Sequence, residues 1–225
     1  MPFELRVGER LHSQGDCVDD VIFPHSGLVT LTMPFRGISG AGVILVGRDG
    51  IVGGFAAAAV PATCDAEVRI GGQAARIAAT AYRDILDQNL SIRRYAARFD
   101  SAMMAQAQQT ALCHAAHSVE ERICRWLLEV QHRSGSSAVP LTQNTLAQML
   151  GVRRTTVTLV AGRLEAAGVI KCHRGYVQIM DQAELERHSC ECYSRVRTYL
   201  AQLFAARIEP APSERSPDRG GQYSA

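Results

Sequence analysis

The chain has 225 residues, 47% hydrophobic and 20% charged, with a net charge of +2. That is apolar material for one large domain or two small ones, and a charge too small to name a partner. No secretory signal and no bilayer-spanning run is present, since the apolar stretch Gly53 to Val60 is only eight residues long. Seven cysteines at irregular spacing, an odd number, read as reduced thiols in a cytoplasmic protein.

Residues 1 to about 80 read as short strands punctuated by glycine. The β-rich runs are Val21–Phe23, Gly27–Thr32, Ala41–Val46, Glu67–Ile70 and Gln73–Ile77, the last two joined by Gly71-Gly72. Gly8, Gly15, Gly27, Gly37, Gly40, Gly47 and Gly50 mark the corners, so a small barrel or jelly roll is expected. From Tyr82 the pattern turns helical. Tyr82–Asn89 predicts a short helix, and Ser91 is an N-cap candidate for a long one reaching about His117. Ile92, Phe99, Gln106 and Cys113 recur every seven residues, offset by Tyr95, Ala102, Gln109 and Ala116. The pattern fits either a paired dimer helix or a helix packed on its own barrel.

Ser118-Val119-Glu120-Glu121 matches a capping box that opens a helix running to about Arg133, with Trp126 in its core. After the loop Ser134–Ser137, Leu141 to Ile170 predicts two short helices joined by a tight turn. Thr142 caps the first and Gly151 closes it. Arg153-Arg154-Thr155-Thr156 opens the second, placing cations and hydroxyls where a helix N-terminus meets phosphates and base edges. A wing follows from Val169 to Ile179, turning at Arg174-Gly175. Residues 141–180 carry five cations against Glu165 alone, so the positive charge is confined to this winged helix-turn-helix. Gln182–Phe204 reads as a final helical stretch, and the Pro/Ser/Gly-rich tail from Glu209 as disordered.

A glycine-marked β-roll, a long helix and a winged helix-turn-helix together resemble the Crp/Fnr family of bacterial transcription regulators. The likeness covers roughly residues 5 to 180 and is carried by Val7–Asp16, Glu121–Leu128 and Leu141–Ile170. It implies an α+β fold in four parts. These are a cyclic-nucleotide-binding-like sensor roll (1–90), a dimerisation helix (91–117), a DNA-binding domain with a terminal helix (118–208) and a tail (209–225). By resemblance, Arg154 contacts a guanine, with Arg153 and Thr155 flanking it. Thr142 and Thr156 contact phosphate, with Gln143 beside them. Thr158 and, at the wing tip, Arg174 complete the DNA-binding set. Where the cyclic-AMP-gated branch has glutamate, this chain has Thr155, which is less selective for cytosine, so the half-site should differ from TGTGA.

The family's nucleotide cassette places a glutamate on the ribose and an arginine on the cyclic phosphate. Laid without gaps on Val52-Gly53-Gly54-Phe55 onward, it puts Gly54 at the glutamate and Cys64-Asp65 at the family's Arg-Ser pair. Asp65 offers an anion where a phosphate needs a cation, so gating by cyclic AMP is not expected. The apolar run from Phe55 to Val60 could hold a less charged ligand or fill the cavity. An iron–sulfur cluster needs several N-terminal thiolates, and only Cys17 is there. Cys64 and Cys113 read as buried structural thiols, and His114 and His117 as ordinary surface or interface histidines. No cofactor is expected. One constellation stays open. His188, Cys190 and Cys192 could form a soft-metal or redox site, although two thiols at i and i+2 of a helix point apart.

The leading expectation is a non-enzymatic homodimer that binds double-stranded DNA at a near-palindromic site and engages RNA polymerase, with an unidentified small-molecule or redox signal. The alternative is a redox- or metal-responsive module working through its cysteines, with protein as its main partner. A cupin-like enzyme is set aside, because His12 and His25 are the only histidines in the first hundred residues.

Overall fold

The five β-rich runs all form strands, each a short stretch of core-facing apolar residues between glycine corners. The structure, a computed structural model, describes residues 1–35 and 38–205. Its N-terminal strands are β1 (Pro2–Leu5), β2 (Arg10–His12), β3 (Asp20–Pro24), β4 (Leu28–Phe35), β5 (Ile38–Val46), β6 (Asp65–Ile70) and β7 (Gly72–Ala78). They make two antiparallel sheets, β1-β7-β3 and β2-β6-β4-β5. Leu5, Val21 and Ala74 of the first sheet share one core with Val29, Val46 and Val68 of the second. The result is the expected roll in an α+β fold. Of the corner glycines, Gly37 lies outside the described residues. Gly50 is required by close approach, because a Cβ there would sit 2.4 Å from Val46 Cγ1 and 3.0 Å from the Phe99 ring.

Helix α1 (Ala79–Gln88) begins three residues before the expected Tyr82, and packs Tyr82 edge-on against Phe23 with ring centroids 5.8 Å apart. Helix α2 (Leu90–Ala116) is capped by Asn89 rather than Ser91, the Asn89 side chain accepting from the Ile92 amide at 3.0 Å. The heptad of the sequence is not an outward seam. Phe99, Ala102, Gln106 and Cys113 are buried within the subunit, while Ile92, Tyr95 and Ala116 are exposed. A second 3-4 stripe, Ala97, Ser101, Met104, Gln108, Ala111 and Ala115, faces outward, with Leu112 beside it. A seven-residue period is the same whichever surface covers it, and here the subunit's own core took the more apolar seam.

Helix α3 (Val119–Ser134) opens with the full capping box. Ser118 Oγ accepts from the Glu121 amide, and Glu121 Oε2 accepts from the Ser118 amide at 2.8 Å. Its inner face meets α2 through a buried ionic ladder. Arg125 Nε donates to Glu129 Oε1 at 2.9 Å, and Arg133 Nη1 donates to Glu129 Oε2 at 3.0 Å. Arg125 also reaches Thr110, and Arg133 reaches Gln106, both on α2. Burying three charges is tolerable because each is paired and hydrogen-bonded.

The remaining elements are β8 (Ala138–Val139), α4 (Gln143–Leu150), α5 (Arg154–Ala166), β9 (Ile170–Cys172), β10 (Val177–Ile179), α6 (Gln182–His188) and α7 (Cys192–Ala205). Strands β8, β10 and β9 form a small antiparallel sheet, the wing. The stretch expected as one terminal helix is therefore two, broken at 189–191, with α7 packed along α2. Trp126, Leu127 and Leu128 of α3 share a core with Leu146 and Met149 of α4 and with Val157 and Leu164 of α5. Burying each such large side chain contributes about 1.5–3 kcal/mol. Leu28 and Leu45 of the roll join this core and β5 lies against α4, so the two halves pack directly on each other. The tail from Glu209 lies outside the described residues.

Candidate nucleic-acid interface

Thr142 caps α4 as expected, its hydroxyl accepting from the Thr145 amide at 3.0 Å. Gly151 ends α4 in the left-handed conformation (φ 64°), which allows the sharp turn into α5. Val157, Val160, Ala161 and Leu164 hold one side of α5 in the core. That fixes what the other side presents. Arg153, the N-cap residue, and Arg154, Thr155, Thr158 and Leu159 are exposed, and Thr156 is half-buried. Arg153 makes no side-chain cap, and with the Thr156 amide bonded to the Arg153 carbonyl at 3.0 Å it is the first amides of α5 that remain open to an anion.

The two helices are tied together on this surface. Thr158 Oγ1 donates to Gln143 Oε1 at 2.8 Å and also to the Arg154 carbonyl at 3.1 Å. Gln143 thus positions α5 from α4. At the far end of α5, Arg163 Nη2 lies 3.0 Å from Glu120 Oε2, so this cation is turned back onto α3. Glu165 Oε1 accepts from the Cys172 amide of β9 at 2.6 Å and fixes the wing. The wing turns at Gly175 (φ 98°), with Arg174 exposed beside the stacked rings of His173 and Tyr176, whose centroids are 4.5 Å apart. Two surface residues were missed in the sequence. Thr145 shares a 2.9 Å hydroxyl contact with Thr142, and Leu159, 66% exposed, is an apolar group on the presented face of α5. A leucine at an otherwise polar helix position was the available signal.

In the roll, Gly53 adopts φ 80° and leads into a 3₁₀ turn at Gly54–Ala58. A Cβ on Gly53 would lie 3.0 Å from the Asp20 carbonyl oxygen. Asp65 is engaged within the roll, accepting from the Gln14 amide at 2.8 Å and lying 3.5 Å from Arg10 Nη1. Cys64 is half-buried, and burial pushes its thiol pKa up. Neither side chain supplies the cation a cyclic phosphate needs. The apolar run Phe55–Val60 fills a cavity only at its start. Ala56 is buried, but Ala58 to Val60 are exposed. Phe55 instead meets His12 edge-on at 5.4 Å. A separate apolar cleft of 350 Å³ opens between the roll and the helices, lined by Phe23, Ile51, Ile77, Tyr82 and Tyr95 among others.

His188 does not join the thiols. Its ring faces carboxylates, with Nδ1 3.2 Å from Glu120 Oε1 and Nε2 3.6 Å from Glu184 Oε1. The two cysteines of the sequence constellation are instead brought to Cys113 and His117 at the end of α2. The i, i+2 objection falls away because Cys190 sits in the break before α7, not on a continuous helix. The hydrogen bond with Cys190 draws the Cys113 thiol pKa down to about 5 despite burial, with the Arg125 guanidinium helping; the same bond pushes Cys190 up.

Residues 121–188, from α3 through α6, match the Crp-like helix-turn-helix domain. The chain carries this domain on a Crp/Fnr fold. FixK2 from Bradyrhizobium japonicum superposes with a TM-score of 0.72 at 14% identity, covering 84% of this chain and 97% of its own. TTHA1359 from Thermus thermophilus, a transcriptional regulator of the CRP/FNR family, gives 0.71 at 21% identity, covering 84% and 98%. The c-di-GMP-responsive global regulator CLP of Xanthomonas campestris gives 0.67 at 16% identity, covering 80% and 94%. No curated protein matches the chain by sequence. Helix α5 lies within the matched helix-turn-helix domain. Among the described residues no helix is long and apolar enough to cross a membrane.

Proposed function

We propose that the protein is a homodimeric transcription regulator that reads DNA with α5. The observation that carries this reading is the first turn of α5. Two arginines and two threonines stand there beside uncapped helix amides, on a helix whose opposite face is locked in the core. Arg154 reads a base edge, with guanine O6 and N7 the natural bidentate acceptors for a guanidinium. Arg153, Thr142, Thr156 and Arg174 grip phosphates, and Thr155 flanks the reading residue. Gln143 and Thr158, bonded to each other, hold the two helices in register. Leu159 adds an apolar contact of the kind a thymine methyl accepts.

The dimer forms through the outward stripe of α2, where alanines permit close approach and Met104 and Leu112 are 60% and 51% exposed. Two-fold symmetry then sets two copies of α5 about 34 Å apart, one turn of DNA, on a near-palindromic site. The role is regulatory rather than catalytic, is exercised in the cytoplasm through RNA polymerase, and is not gated by cyclic AMP through Gly54 and Asp65.

Arg154→Ala tests the reading residue. It is expected to weaken binding to the specific site by about 1–3 kcal/mol, roughly 5- to 140-fold, and to relax preference at one base pair of each half-site. Unchanged affinity and unchanged base preference in a gel-shift series over single-base variants would remove Arg154 from that role.

A further inference from the structure

Four metal-ligating side chains converge at a point distant in sequence from every part of the roll. Cys113 and His117 lie one helical turn apart at the end of α2, and Cys190 and Cys192 flank the start of α7. Their ligand atoms all lie within 4.8 Å of one another, and the three cysteines are buried. We propose that Cys113, His117, Cys190 and Cys192 form a closed Cys₃His site for one zinc ion. This inference does not depend on whether α5 reads DNA.

Two of the ligand spacings fit a tetrahedron. Zinc–sulfur bonds of about 2.3 Å and zinc–nitrogen bonds of about 2.0–2.1 Å place ligand sulfurs about 3.8 Å apart, and sulfur and nitrogen about 3.6 Å apart. Here Cys113 Sγ and Cys190 Sγ are 3.5 Å apart, and Cys192 Sγ lies 3.6 Å from His117 Nδ1. Three thiolates and an imidazole are a zinc ligand set, and four protein ligands close the site in the structural manner.

Each part of the set has an outer partner. His117 turns Nδ1 inward while its Nε2 lies 3.2 Å from Glu191 Oε2, the histidine–carboxylate pairing that orients a metal-bound imidazole. Gln109 Nε2 donates to Cys192 Sγ at 2.9 Å. Arg125, 2% exposed, exerts its positive charge on Cys113. The charges also close. With three thiolates, a neutral His117 and Zn²⁺, the loaded site carries −1. The adjoining ladder of Arg125, Glu129 and Arg133 carries +1.

The ion would tie the end of α2 to the start of α7, the two points that bracket the helix-turn-helix module. It would thereby fix that module against the long helix. The reduced full-length chain, stripped with chelator, is titrated with Zn²⁺ and separately with Co²⁺. The proposal expects one equivalent bound per chain. It also expects Co²⁺ to give thiolate charge-transfer absorption with the intense visible bands of a tetrahedral site, and Zn²⁺ to raise the melting temperature. Cys190→Ser with Cys192→Ser should abolish the charge-transfer band. Glu191→Gln, at an exposed outer position, should weaken binding about 10- to 100-fold while leaving the far-ultraviolet spectrum unchanged. His188→Ala should have no effect. Should the double serine variant fail to fold, the wild-type cobalt spectrum and Glu191→Gln decide. Cobalt bound without thiolate absorption, a reduced chain that takes up no metal, or affinity indifferent to Glu191→Gln would overturn the site.

Discussion

The first turn of α5 and the thiol cluster at the end of α2 are the two chemically dense regions of the molecule, and they are built in opposite ways. The α5 turn is contiguous, from Arg153 to Thr156, and mostly exposed. Its side chains have little to do inside the subunit, while the residues behind them hold the helix still. The cluster draws on residues 113 to 192, is largely buried, and has almost every polar atom committed to a neighbour. A surface site spends its chemistry on a partner; a closed site spends it on the fold. The same contrast separates Arg153 and Arg154 from Arg125 and Arg133. All four are arginines, yet only the first pair is free of intramolecular ion pairs among the described residues.

Salt should separate the two regions most sharply. If two copies of α5 and the wing make 6–10 phosphate contacts, DNA affinity should fall about 10³- to 10⁵-fold between 50 and 200 mM salt. Fluorescence anisotropy over that range would show it. An affinity indifferent to salt would instead favour protein as the main partner. Buried charges are shielded from salt, and their weakness lies elsewhere. Glu129→Ala leaves Arg125 and Arg133 buried without their shared carboxylate and should cost about 3–5 kcal/mol in urea unfolding. A loss under about 1 kcal/mol would mean that the ladder is hydrated and does not clamp α2 to α3.

The difference in construction also decides what could be read in the sequence. The capping box at Ser118, the Thr142 cap, Gly151 and the wing turn at Gly175 were legible because each is a local pattern with a local physical cause. The presented face of α5 was legible for the same reason, apart from Leu159. The cluster was half legible. Cys190 and Cys192 stood out by spacing, but His188 is nearest to them in sequence and turns to Glu120 and Glu184 instead. Cys113 and His117 meet the pair only because α7 folds back along α2. The heptad was ambiguous in a related way. Periodicity reveals that a helix has an apolar face, and Phe99 and Cys113 show that the face belonged to the subunit's own core. In the roll, the substitutions at Gly54 and Asp65 were plain, whereas Asp65's engagement with Arg10 and Gln14 depends on the packing of β2 beside β6.

Selection of bound DNA from a random pool, performed with the reduced full-length protein, tests the central claim most directly. A dimer reading through α5 should enrich two inverted half-sites with centres about one helical turn apart, each departing from TGTGA at the position faced by Thr155. Enrichment of no sequence, or of a single half-site without symmetry, would contradict the claim that this is a homodimer reading DNA with α5.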